Sequence, residues 1–452
     1  MTRVLIPSGA LGLGFDHDAL MRGIANRPDI IAIDGGSTDS GPAYLGQGVS
    51  KYSAASTRVE WRALLLARAQ AGVPLVIGTA GTCGADSTVD WLFDLTKQIA
   101  KAEGLTLKIA LLYSGQAPKD IARALHGGTL QPLPAAPDID AQIIESCTNI
   151  VALAGAEQIQ AALKTGADVI IAGRATDTAT IAALPLLRGD HPGAAWHGAK
   201  VGECGALATS RPNTGVIQID FDKTGFTIEP LAANTYATPG SVSAHMLYEN
   251  SDPFELYEPG GHLDVTHATY AALDARSVRV EGSIWVPGPY TVKIEGARVA
   301  GYQSVSIAML RERRYVENAQ SWADDITAKC RAKVVDRMGL DPADFQIDLR
   351  LIGVNAVLGA LETQTSSPHE VGVMGVVTAP SADLALEINK MLNPYLLHHP
   401  LEEDEPMPTF AFPFSPPEMA RGAIYEFCLH HILTLDDPMA AFKLETHEVA
   451  HA

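Results

Sequence analysis

Positive charge is what this chain is short of: 33 Lys and Arg stand against 52 Asp and Glu, a net charge of −19. Nucleic acid and anionic membranes both require a basic surface, so neither is an expected partner. A small anionic substrate remains compatible, because a few N–H groups and one Arg bind a carboxylate whatever the overall charge. The five cysteines, Cys83, Cys147, Cys204, Cys330 and Cys428, are scattered and contain no CxxC. Neither a disulfide framework nor a zinc ribbon is therefore expected, and a reducing cytoplasm fits. No apolar run reaches the roughly 18 residues that a membrane-spanning helix needs. The opening MTRVLIPSGALGLGFD is broken by Pro7, Gly9, Gly12 and Gly14, which reads as a first strand and its loop rather than a signal peptide. Strict repetition, the mark of a solenoid, is also missing.

What is present is a chain of 452 residues with 47% hydrophobic and only 6% aromatic residues, long enough for about two or three structural units. The first 185 residues or so alternate apolar runs with amphipathic stretches, the pattern of βα units on a parallel sheet. Expected strands are RVLIPS, DIIAID, PLVIGT, KIALLY, NIVALA and DVIIAG; expected helices include TRVEWRALLLARAQAG, STVDWLFDLTKQIAKAEG and AEQIQAALKTGA. From about residue 213 alternating runs such as GVIQIDF, SVRVEGSIWV, YTVKIEGARV and YQSVSIAML predict antiparallel sheet. A helix over NAQSWADDITAKCRAKVVDRMG, strands at FQIDLRLIGV and VGVMGVVTA, and a helix over ADLALEINKMLNPYLLHH follow. The acidic, Pro-rich PLEEDEPMPTFAFPFSPPE reads as an extended arm, and periodicity leaves AIYEFCLHHILTL open between strand and helix. The expected fold class is α/β: an N-terminal, mostly parallel sheet with flanking helices, followed by an α+β region with antiparallel strands. The expected units are residues 1–212 with a βα-loop ligand site, and residues 213–452 with the Pro-rich arm.

Three strand ends share a texture. DIIAID runs into GGSTDSGP, PLVIGT into AGTCGADST, and DVIIAG into RATDTATI. In a parallel sheet such loops leave one carboxyl edge and converge on one crevice. Small residues there let backbone approach a ligand, and hydroxyls supply donors and acceptors. This selects Asp34, Gly35, Gly36, Ser37 and Thr38 from the first loop, Thr79, Gly81 and Thr82 from the second, and Arg174 and Thr176 from the third as substrate-binding residues. Ser87 and Asp90 have the spacing of a capping box. Arg174 suits either a carboxylate ligand or an ion pair with a neighbouring aspartate. Asp39, Asp177 and Glu203 are the proton-transfer candidates. Cys204, in GECGALATSR, is a further binding candidate and an alternative nucleophile, as is Cys83, although lone cysteines are usually buried small hydrophobes. His245, Glu249, Asp252, His262, Asp264 and His267 lie close in sequence, but HxDxxH is not an established ligand spacing. His245, Tyr248 and Glu249 also fit a helix with one buried face, so no metal and no cofactor are expected.

The pieces IDGGSTDSGP, LVIGTAG, VIIAGRATDTA, GECGA, ATPGSVSAHMLYENSDPFELYEPGGHLDV, YTVKIEGARVAGYQSVSI and LRLIGVNAVLG, in this order and spacing, resemble the acyclic terpene utilization AtuA family. GGSTDSGP and TAGTCGAD depart from the terpene branch, so the resemblance is to a divergent branch. It implies a role in degrading branched acyl-CoA compounds or related acids, with hydratase or lyase chemistry. The expected function is thus a cytoplasmic catabolic hydratase/dehydratase acting on a small branched or dicarboxylic acid or its CoA thioester. Two alternatives remain: a cysteine-dependent hydrolase, and a non-catalytic ligand-binding or scaffold subunit, favoured by the Leu401–Glu418 arm. A homo-oligomer is expected, with a small partner subunit as a possible addition.

Overall fold

The computed structural model describes residues 1–364 and 368–450. Two compact units emerge, Met1–Arg298 with Glu426–Ala452, and Val299–Tyr425. These differ from the expected 1–212 and 213–452, because what changes near residue 213 is strand direction within one sheet. The first unit is built on ten strands, in the order Thr269–Ala272, Val278–Glu281, Gly225–Pro230, Ile217–Phe221, Thr2–Ile6, Ile30–Asp34, Leu75–Gly78, Val169–Ala172, Leu107–Tyr113 and Lys443–Val449. The five from Thr2–Ile6 to Leu107–Tyr113 are parallel, with Val4 opposite Ile30, Ala32 opposite Val76, Val76 opposite Ile170 and Ile170 opposite Ala110. Their runs are apolar on both faces because helices cover both, which is why they read as continuous rather than alternating. Leu5, Ile31, Ile33 and Ile77 face one core with Trp61 and Leu92; Val4, Ala32, Val76 and Ile170 face another with Trp196 and Ile181.

The remaining strands pair antiparallel, with Val4 opposite Ile219 at one junction and Leu111 opposite Glu445 at the other. The α/β class with added antiparallel sheets is as the sequence predicts. NIVALA is corrected: Cys147–Ala152 is a strand, but it pairs antiparallel with residues 294–298 and not with the parallel sheet. The edge of Leu107–Tyr113 that it would extend is occupied by Lys443–Val449. SVRVEGSIWV is two strands, Val278–Glu281 and Ile284–Pro287, which join different sheets. Conversely, YTVKIEGARV and YQSVSIAML form one strand, Thr291–Leu310, with a register shift between Ala297 and Arg298.

In the second unit, Gln346–Ile352 pairs with Val371–Ala379, which pairs with residues 302–310, all antiparallel. Ala319–Met338 and Ala382–His398 supply the helices of its core, which includes Trp322, Ile326, Val373 and Leu392. The tail resolves as a strand, Glu418–Thr434. The acidic arm before it is anchored within its own unit. Arg314 binds Glu402 and Glu405, each at 2.6 Å, and Phe410 packs edge-on against Tyr315 and Trp322.

Candidate functional site

Each parallel strand ends in a loop, and the loops are laced together by backbone hydrogen bonds. Gly35 N–H donates to Gly78 O at 2.7 Å, Thr79 N–H to Gly173 O at 2.8 Å, and Leu11 N–H to Asp34 O at 2.9 Å. Two glycines make this approach feasible. A Cβ on Gly35 would lie 2.1 Å from Thr79 O, and one on Gly84, whose φ is +64°, would lie 2.2 Å from Arg174 N. The expected capping box does not form. The helix Asp86–Glu103 has Ala85 at its N-cap; Ser87 donates to Gly48 O, and Asp90 accepts from the Tyr113 hydroxyl. Those side chains serve longer-range contacts instead.

The loops enclose a cavity of about 530 Å³. Asp34, Gly36, Ser37, Asp39, Thr82, Asp177, Glu203 and Cys204 line it, so residues from four segments do converge. The other expected binding residues lie behind the wall. Thr38 is buried and donates to Glu295 at 3.0 Å. Thr79 donates to Ala175 O, Gly81 packs under Thr88, Gly35 is buried against the Thr79 backbone, and Thr176 meets the Thr178 hydroxyl at 3.1 Å. Arg174 is 5% exposed. Its Nε binds Glu295 at 3.1 Å, and Nη1 lies 3.7 Å from Asp177 and 3.3 Å from Thr79 Oγ1. It knits the loops rather than lining the cavity.

Beneath the wall lie charged residues that the strand-end pattern does not select: Lys200, Glu258 and Glu295. Of these, Lys200 carried a weak signal in the sequence. Lys200 is a charge on the mostly apolar helix Pro192–Gly202, one turn before Glu203, whereas Glu295 shares the strand Thr291–Leu310 with Lys293 and Arg298 and does not stand out. Tyr248 and Glu249 also reach the cavity, although the expected helix through them ends at Leu247. His262, Asp264 and His267 do not line it.

Five carboxyls, Asp34, Asp177, Glu203, Glu258 and Glu295, thus face three cations, Arg174, Lys200 and Lys293. Their environments separate them. Glu295 is held down at about 2: burial opposes ionisation, but Arg174 and Lys293, the latter at 2.8 Å, outweigh it. Burial raises the others. Asp34 is pushed well above the usual carboxylate range by burial and by Asp177; its Oδ2 accepts from Gly36 N–H at 2.7 Å, while the buried Oδ1 has no hydrogen-bond partner among the described residues. Asp177 reaches about 6, since burial and Asp39 outweigh Arg174. Glu258, held by the Thr178 hydroxyl, reaches about 7 through burial. Glu203 is raised by burial and the neighbouring acids, although Lys200 Nζ sits 2.5 Å from its Oε1. The cluster therefore retains protons, or accepts a cation, near neutral pH. Burial, Glu203 and Asp177 also push the Cys204 thiol up, and Cys83 is 1% exposed with its thiol raised by burial. Such surroundings disfavour the thiolate that a nucleophile needs.

No curated protein and no solved structure matches the chain. The family described as acyclic terpene utilisation family protein AtuA matches residues 62–402. That span includes Arg174, Asp177, Glu203, Cys204, His245 and Glu295, while Asp34 and Asp39 lie before it. Matched over well more than half of its length, the chain belongs to the AtuA family.

Proposed function

We propose that the protein is a catabolic hydro-lyase acting on a small branched or dicarboxylic acid, or its CoA thioester, in the cytoplasm. The observation that carries this reading is the pair of carboxyls on the cavity wall, Asp34 and Asp177, both raised by burial, which we assign as the protonated and the ionised partner of one reaction. Dehydration of a hydroxy acid needs both states. Asp177, ionised near neutrality, takes the proton from the carbon beside the acyl group. Asp34, whose carboxyl is pushed well above the usual carboxylate range by burial and by Asp177, serves as the acid that gives a proton to the departing hydroxyl as the C–O bond breaks. The products are the unsaturated acid and water, and hydration is the same path reversed. Glu203 lies deeper in the wall against Lys200, and Asp39, exposed at the mouth, tunes Asp177.

Recognition of an anionic substrate is supported by Lys51 and Ser37. Lys51 lines the cavity with its ammonium 5.5 Å from the Tyr52 ring, and it forms no salt bridge among the described residues. Arg174 acts from behind by fixing Asp177. Family membership agrees with a catabolic role and leaves the substrate open.

A panel of branched and dicarboxylic hydroxy acids, their unsaturated counterparts and the CoA thioesters, incubated with the protein and analysed by mass spectrometry, tests this. Loss or gain of one water in a subset of the panel is expected. Hydrolysis of the thioesters without any change in hydration would replace this reading with a hydrolase.

A further inference from the structure

We propose that Glu203, Cys204 and His245 form a binding site for one divalent ion of the zinc class, with its open coordination position facing the cavity. A carboxylate oxygen of Glu203, Cys204 Sγ and a ring nitrogen of His245 all lie within 4.8 Å of one another. Oxygen, sulfur and nitrogen donors together suit zinc and its borderline-soft neighbours, whereas magnesium and calcium select oxygen alone. Two segments supply them. Glu203 and Cys204 directly follow the buried helix Pro192–Gly202, and His245 follows the short helix Pro239–Ala244. Side-chain rotation on loading would bring the three donors to the shorter separations of a tetrahedral site.

Independent support comes from the imidazole. His245 is 5% exposed, and its buried Nε2 has no hydrogen-bond partner among the described residues. An unpartnered buried ring nitrogen is costly and calls for an explanation. A hydrogen bond with the Lys200 backbone holds the ring. One nitrogen oriented by backbone while the other keeps a free lone pair is how proteins prepare a histidine for a metal. Charge points the same way, since the carboxyls gathered here outnumber the cations. Lys200 engages only Oε1 of Glu203, leaving Oε2 for the ion. Because Glu203 and Cys204 are on the cavity wall, the fourth position opens to a ligand, as it does in catalytic rather than structural zinc sites. An ion there is placed to polarise a substrate oxygen. On loading, the Cys204 proton leaves for solvent, since the thiolate is the ligand.

The test reads metal binding and not turnover, so it stands apart from the dehydration reading. The full chain is stripped with a chelator and titrated with Zn2+ against a chromophoric competitor, then with Co2+ while absorption is recorded. One equivalent is expected to bind, with a thiolate-to-Co2+ charge-transfer band. Cys204→Ser should abolish the band, and His245→Gln should weaken Zn2+ binding at least about tenfold. His267→Gln, at an exposed histidine outside the site, should change neither. Circular dichroism verifies folding; if His245→Gln does not fold, the Cys204→Ser band decides. Absence of stoichiometric uptake by the native chain, or a band and affinity that survive both substitutions, would overturn the site.

Discussion

Arg174 shows how a residue type underdetermines a role. From its place after a parallel strand it suits a substrate carboxylate, yet its guanidinium is committed to Glu295, a residue 121 positions away. Removing one partner of a buried ion pair leaves the other charge uncompensated, which typically costs 3–5 kcal/mol. Arg174→Ala is therefore expected to lower unfolding free energy by about that amount in urea titrations, whereas a residue that only binds substrate would leave it unchanged. Glu258 makes a separate prediction. Its folded-state value of about 7 exceeds the ordinary 4.5, so the folded protein holds an extra proton between these values. The associated stability is complete below pH 4.5 and is lost as pH rises through 7. Glu258→Gln should consequently gain stability relative to the native chain between pH 4.5 and 8, measured by denaturation at both; a difference independent of pH contradicts the assignment. Asp34, Asp177 and Glu203 were legible because small and acidic residues crowd at strand ends and at a helix end. Glu295 and Glu258 were not, because what makes them part of the cluster is tertiary placement on strands distant in sequence.

The parallel strands and the long helices could be read directly, since both faces of the sheet are covered and the helices carry clear apolar stripes ending in Gly. Pairing partners could not. Cys147–Ala152 has the same texture as its neighbours, and only the occupation of the sheet edge by a C-terminal strand sends it elsewhere. Likewise Gly282 splits one alternating run between two sheets, while Gly296 and Gly301 do not interrupt a strand of 20 residues. At the site, loop spacing depends on glycine. Gly35→Ala would set a methyl against the Thr79 carbonyl, backbone against which no rotamer change gives relief. A fall in melting temperature together with loss of ligand-induced stabilisation is expected, measured by thermal shift; an unchanged melting curve would show that the loops slide apart at no cost.

At the scale of the whole molecule, a strongly acidic protein presents a cavity whose buried acids outnumber their cations, on a unit assembled from both ends of the chain. Among the described residues no helix is long and apolar enough to cross a membrane, and the proposed chemistry rests on a few buried carboxyls. Family membership is consistent with a catabolic role, and the hydro-lyase proposal rests on the carboxyl pair. The central claim is that Asp177 moves the substrate proton. Its most direct test is turnover of an acid or thioester converted in the mass-spectrometric panel, by the native chain and by Asp177→Asn in parallel. A fall in kcat of at least about 100-fold, with KM changed by only a few-fold and an unaltered melting curve, is the predicted result. Retention of kcat within about threefold in a folded Asp177→Asn, a loss far below what removing a general base produces, would contradict it.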